Sequence, residues 1–276
     1  MVSDRGWANT GRLFYMALWR EWLTLKRYKV NFIFELFGSA LFGLGMLLFA
    51  LAFDAALLER TLGTTNWVSF MIFGVAYQSW QSVALWGAAD MFRSELGSGQ
   101  IDYTFTCPFS RYGYMICNVA AMAVRSSLFF IPMFAVGLWF TRETLTLPGL
   151  LLGLLATALS VGALAQMGAC FAALVLRHQQ VSAIFGLFNF AFQMMTGMFV
   201  PLQIMPASLR IIGIVALPQS FGMDLLRHHV MGTRTVLALP YEWAILLGQV
   251  VVYGLLAQLT VRRLERAARD QGLHYL

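Results

Sequence analysis

The chain has 276 residues, 59% of them hydrophobic and only 12% charged, with a mean hydropathy of +0.69, whereas soluble domains carry about 25% charged residues. This balance excludes a water-soluble enzyme or binding module and requires an integral membrane protein. The formal net charge of +6 marks no nucleic-acid footprint, because the basic residues are spread between apolar runs instead of gathered on one soluble face.

Residues 1–30 keep basic side chains through to Lys29, and no small-residue cleavage site follows a short apolar core. They are therefore read as a retained segment and not as a cleavable signal. At about 100° per residue, Phe14, Ala17, Leu18, Trp22 and Leu25 share one arc while Arg12, Arg20, Lys26 and Arg27 gather opposite, with Glu21 interrupting the apolar side. The pattern predicts an amphipathic helix lying in the membrane interface; a solvated basic lead-in is the alternative.

Apolar runs follow at roughly 32–53, 67–89, 113–140, 148–174, 181–200 and 241–261, each near the ~20 residues a spanning helix needs. The runs are continuous and do not alternate, which predicts helices with internally satisfied backbone and not a barrel. The predicted fold is an all-α integral membrane protein: six transmembrane helices preceded by an N-terminal interfacial helix, in a single domain over 1–276.

On the second span Gln78, Gln81 and Ser82 lie at helical spacing, with Trp86 beyond them. After it comes the polar segment 93–111, holding Glu95, Gly99, Asp102, Cys107, Pro108, Ser110 and Arg111. Charges, glycines and a proline do not sit in hydrocarbon, so this segment faces water. It offers Leu96, Ile101, Tyr103 and Phe105 as apolar handholds for a partner; a plain polar turn is the alternative.

Arg125 stands within the third span, where exposure to lipid costs ~2.5 kcal/mol or more. It requires a carboxylate, and Glu35 and Asp90, near the ends of the first two spans, are the candidates for a structural ion pair. Gly149 and Gly153 in the fourth span form a small-x-x-x-small pair suited to close helix packing. On the fifth, Ser182, Gly186, Asn189, Gln193 and Thr196 fall along one face. Polar side chains at that depth face protein or a cavity, and two readings stay open: interhelical hydrogen bonding, or a substrate path.

Residues 201–240 are cut by Pro201, Pro206 and Pro218 into pieces too short to span and too apolar to float, such as Ile211 to Leu217. Short re-entrant or capping helices are expected there. His228 and His229 are neighbours whose side chains point about 100° apart on a helix, so no metal site is expected. Cys107, Cys117 and Cys170 indicate no disulfide framework. Beyond the last span, Arg262 to Asp270 continue as a charged helix in which Glu265 and Arg269 have i,i+4 spacing.

Placing the amino terminus in the cytoplasm leaves only Arg60, Arg142, Arg210, Arg227 and Arg234 outside and Arg125 within a span, while every other basic residue falls inside. That bias predicts both termini in the cytoplasm of a cell (plasma or inner) membrane.

Two stretches carry a family resemblance. The segment with Glu95, Gly99-Gln-Ile-Asp102 and Pro108-Phe-Ser-Arg111 resembles the loop between the second and third spans of type-2 ABC exporter permeases. Thr196-Gly197-Met-Phe-Val-Pro201-Leu-Gln-Ile-Met-Pro206, followed by Leu217-Pro218 and Asp224-Leu-Leu-Arg227, is similar to the family's Pro-Leu-x-x-Leu-Pro signature, with Met205 in place of a leucine. The resemblance implies a transport subunit that is not itself an enzyme and binds no cofactor. It implies two permease subunits, identical or paralogous, and an ATP-binding cassette subunit that holds ATP and Mg²⁺. No Gly-x-x-x-x-Gly-Lys-Ser/Thr loop occurs in the chain.

In that frame Glu95, Gly99, Asp102, Pro108 and Arg111 belong to the coupling segment. The second and fifth spans line the path, making Gln78, Gln81, Asn189 and Gln193 substrate candidates with Phe185, Phe192 and Met194 as apolar walls. The implied cargo is hydrophobic or amphipathic, drug-like or lipid-like, moved outward. A lipid-linked polysaccharide and a non-transporting assembly scaffold are the alternatives; Arg27-Tyr28-Lys29-Val-Asn31-Phe32 matches the polysaccharide branch poorly. A membrane enzyme lacks support, since no nucleophile, base or carboxylate set converges at suggestive spacing.

Overall fold

Without water, an uncharged run can satisfy its backbone by coiling into a helix, and the computed structural model of the chain is mainly helical over the described residues of its apolar runs. It describes residues 6–51, 55–100, 103–104, 107, 109–177 and 182–271, with no strand among them.

Helix α1 (Gly6–Arg27) leads directly into α2 (Lys29–Leu51). The short α3 (Ala55–Leu62), unforeseen in the sequence, buries Leu58 and Leu62 and ends at Gly63 with φ +75°. Asn66 caps α4 (Trp67–Gly97): its Oδ1 accepts the Ser69 N–H at 2.9 Å. Ser110 caps α5 (Arg111–Phe140) through Gly113. Then come α6 (Leu147–Arg177), α7 (Ser182–Met195), α8 (Ala207–Ala216), α9 (Pro218–Met231) and α10 (Leu239–Gln271).

Among the described residues, four helices are long and apolar enough to cross a membrane: α2, α5, α6 over Leu147–Ala172 and α10 over Leu239–Arg263. The bent pair α8–α9 raises the number to five if it counts as one span. The chain is an α-helical, multi-pass membrane protein. Helix α4 has the length of a span, but Gln78, Ser79, Gln81, Ser82 and Asp90 dilute its apolar character. It can carry them because it is the central helix, packed against α2, α5 and α6, so most of its surface meets protein and not lipid.

Three expectations change. The polar segment starts later than its sequence suggests, because α4 continues through Arg93 and Glu95 and turns only at Ser98–Gln100. The fifth run is helical for only 14 residues, about 21 Å at 1.5 Å per residue, short of the ~30 Å hydrocarbon core. It stops before Gly197, whose φ of +76° begins a buried turn over 196–199. And α1 does not keep its apolar residues on one arc: Ala17 turns inward onto α5 together with Glu21, whereas Trp22 is exposed with Tyr15, Met16, Trp19 and Leu23.

Between α8 and α9 the axis bends by 95°. Pro218 disfavours helical geometry in the residue before it, and Leu217 is extended at φ −118°, ψ 105°. The bend strands the last carbonyls of α8. Side chains of α10 take them up: Gln249 Nε2 donates to the Ile214 and Val215 oxygens at 2.9 and 3.2 Å, and the Tyr253 hydroxyl donates to Ala216 O at 2.5 Å. Beyond the bend, 217–227 is buried without interruption. Gly149 and Gly153 admit α9 against α6: a Cβ on Gly149 would collide with the His229 carbonyl, and one on Gly153 would sit 3.0 Å from Leu226 Cδ1.

Candidate functional site

A cleft of about 590 Å³ opens between α2, α4 and α5. Helix α2 supplies Glu35, Gly38, Ser39 and Phe42; α4 supplies Val75, Gln78, Ser79, Ser82, Val83 and Asp90; α5 supplies Arg125, Ser126, Phe129 and Met133. Helical spacing aligns these sets: Ser82 lies one turn beyond the adjacent Gln78 and Ser79 on α4, and Arg125, Phe129 and Met133 succeed one another by a turn on α5. Trp80 backs the wall, stacked on Phe130 at 3.8 Å between ring centres and donating its indole N–H to Ser127 Oγ at 3.1 Å.

Arg125 is held by two carboxylates. Its Nε lies 3.5 Å from Glu21 Oε2 and its Nη2 lies 3.8 Å from Glu35 Oε1. Glu35 is thus a partner as the sequence suggests, while Asp90 is not: it pairs within α4 with Arg93 at 3.6 Å. Glu21, the residue that interrupts the apolar arc of α1, takes the place expected of Asp90 and also lies 3.6 Å from Arg20. These separations exceed hydrogen-bond length, about 2.7–3.2 Å, in a cleft where charge interactions are less screened than in bulk water.

The remaining path candidates do not converge on this cleft. Gln81 is fully buried, and neither amide atom has a hydrogen-bond partner. Asn189 Oδ1 accepts the Trp86 indole N–H at 3.0 Å, tying α7 to α4. Phe192 packs on Phe171 and Phe188 with ring centres 6.3 and 5.8 Å apart. Gln193 is half-buried, its backbone oxygen accepting the Thr196 hydroxyl, and Met194 is exposed. The side chain of Phe185 lies outside the described residues. Of the six candidates whose side chains are described, Gln78 alone lines the cleft.

In the segment after α4, Glu95 is only 6% exposed and accepts the Tyr114 hydroxyl at 2.5 Å. This corrects its expected presentation to water: Tyr114 rises beside it from the first turn of α5. Gly99 has φ +68°, the left-handed geometry that ends the helix. Arg111 Nη1 folds back to donate to the Cys107 and Phe109 carbonyls at 3.1 and 2.7 Å. Tyr103 is 76% exposed, beside a second cleft of about 500 Å³ shared with Leu13, Met16, Arg20 and Phe109. Asp102 and Pro108 lie outside the described residues.

A third charged group, singled out in the sequence only through the Asp224 to Arg227 motif, lies between α9, α4 and the turn after α7. Arg227 Nη1 donates to Gly197 O at 2.6 Å, and Nη2 donates to Phe70 O at 2.8 Å and Met198 O at 2.6 Å. Its guanidinium carbon sits 3.5 Å from the centre of the Phe70 ring. Nearby, Asp224 accepts the Val236 N–H and Glu242 the Leu237 N–H, both at 2.8 Å. No cluster of three or more His, Cys, Asp or Glu able to hold a metal occurs among the described residues.

Neither a scan against protein-family models nor a search of curated proteins returns a match to this chain.

Proposed function

We propose that the chain is the membrane-spanning subunit of an ATP-driven exporter, moving a hydrophobic or amphipathic substrate, drug-like or lipid-like, outward through a cavity at a dimer interface. ATP and Mg²⁺ bind to a separate ATP-binding cassette subunit, and a second permease subunit completes the path. The six crossings are α2, α4, α5, α6, α10 and, in fifth place, the short α7 together with the turn over 196–199 that continues it. The α8–α9 pair re-enters from the outer side, and both termini are cytoplasmic. Helix α1 lies in the inner interface, with Trp19, Trp22 and Leu23 toward lipid and its arginines toward headgroups.

The observation that carries this reading is the cleft between α2, α4 and α5. Serines, a glutamine and three ionisable side chains line a groove between helices of membrane-spanning character. An ionisable residue at such depth marks a substrate or ion path before it marks anything else. The exposed Tyr103 beside the second cleft adds support, since it offers a soluble partner an aromatic anchor at the α4–α5 connection.

Purification of the full chain from its native membrane is expected to bring down a P-loop ATPase whose turnover changes when the two are reconstituted. Tyr103→Asp is expected to weaken that association while the chain inserts normally. Recovery of partners without any ATPase overturns the proposal in favour of an assembly scaffold.

A further inference from the structure

The cleft between α2, α4 and α5 has a chemical polarity of its own. At one end lie Glu35, Asp90 and Arg125; toward the other lie Phe42 and Met133, which packs at Gly43, while Phe129, one turn from Arg125, packs on Phe32 at 5.7 Å between ring centres. Glu35 lies about six residues into α2 and Phe42 a further two turns along, so charge gives way to aromatic and thioether surface along a single helix. Such a gradient suits an amphipathic molecule, with its head beside the carboxylates and its apolar body farther in.

The sign of the head follows from the charges of the lining. Among the lining residues stand two carboxylates and one guanidinium. Among the described residues, the one cation that pairs with Glu35 is Arg125, at 3.8 Å, and the one that pairs with Asp90 is Arg93, at 3.6 Å. Neither carboxylate receives a hydrogen bond from the described residues, although an ionised carboxylate accepts several. Arg125 is shared with Glu21, and the cations that balance the count, Arg20 and Arg93, have side chains 46% and 44% exposed and lie outside the lining. Arg125 Nε is itself buried without an acceptor among the described residues, so what marks the lining is charge, two carboxylates against one guanidinium. An anionic headgroup would face those two carboxylates, whereas an ammonium supplies the missing positive charge and donates to them.

We infer that this cleft binds the protonated amine of an amphipathic molecule, with Glu35 and Asp90 receiving the ammonium and Phe42, Phe129 and Met133 covering its apolar chain. The inference names a substrate class for the proposed exporter and rests on that reading for its orientation, in which the charged end opens toward the inner leaflet. Under it, cargo enters laterally from the membrane and not from the aqueous phase. Gln78 and Ser82 lie between the two ends as uncharged hydrogen-bonding groups that a head can pass.

The test uses the full chain alone in nanodiscs of zwitterionic lipid and three dansyl probes that share a dodecyl chain: a primary ammonium, its N-acetylated neutral form and a carboxylate. The ammonium is expected to bind saturably, and the other two at least about tenfold more weakly. Glu35→Gln or Asp90→Asn is expected to weaken ammonium binding by about tenfold, and Ser82→Trp, which fills the cleft without changing charge, to abolish it. Circular dichroism and elution volume identify any variant that fails to fold. Equal binding of the acetylated or carboxylate probe overturns the inference, as does unchanged ammonium affinity in both carboxamide variants or in Ser82→Trp. Because no ATPase is present, binding succeeds or fails independently of the exporter reading, which only loss of the ATPase partner overturns.

Discussion

Arg125 and Arg227 are the same side chain put to opposite uses. Arg227 is 4% exposed, its guanidinium donates to three main-chain carbonyls at 2.6–2.8 Å, and the Phe70 ring covers its face. Arg125 borders a cleft, its side chain 25% exposed, with carboxylates at 3.5 and 3.8 Å. A group whose every contact is short and dry holds a fold in one state. One with long contacts and an open side retains interaction capacity for something else. Buried Arg227 joins α9, the start of α4 and the turn after α7; Arg125 joins α1, α2 and α5 around a space.

Replacing both arginines sharpens this contrast. Arg227→Ala leaves the carbonyls of Phe70, Gly197 and Met198 without their donor, and a loss on the order of 3–5 kcal/mol is expected. In detergent this should appear as a fall of roughly 10 °C in apparent Tm. Gly74→Ala acts on the same joint from the other side, since a Cβ there collides with the Met198 carbonyl that Arg227 grips. Its expected cost is about 1–3 kcal/mol, and combined with Arg227→Ala it should be less than additive. Arg125→Ala should cost about 1 kcal/mol or less after solvent screening, while changing binding in the cleft and transport more than stability. If Arg125→Ala lowered the apparent Tm as far as Arg227→Ala, the distinction would collapse.

Much of the architecture was legible because hydrophobicity is a local property. Continuous apolar runs marked α2, α5, α6 and α10, and Pro218 marked the break that becomes a 95° elbow. The pairing of charges was only half legible. Glu35 follows from the sequence because an arginine within the third span requires a carboxylate and Glu35 stands near the end of the first, but Glu21 looks like a flaw in an amphipathic helix. Its purpose appears only when α1 packs on α5 and brings it to 3.5 Å. Asp90 was drawn off by Arg93 one turn away, a local pairing that the search for a distant partner overlooked.

Glu95 shows the same limit. Acidity and position predicted a surface residue, but α4 continues past it and Tyr114 of α5 closes over its carboxylate. Arg227 shows it most sharply. Its partners are backbone carbonyls, which every residue possesses and no sequence pattern distinguishes. The glutamines and asparagine of α4 and α7 share a predicted path, yet of Gln78, Gln81, Asn189 and Gln193 only Gln78 reaches the cleft. Helical periodicity fixes which residues share a face; it does not fix what that face meets.

The elbow between α8 and α9 also has a mechanical meaning. Gln249 and Tyr253 grip all three carbonyls that the bend exposes, so α8 cannot swing outward without breaking those bonds together or carrying α10 along. The last helix and the elbow form one lever, and a push delivered along α10 at one end of the bundle is felt at the elbow as displacement, not as slack.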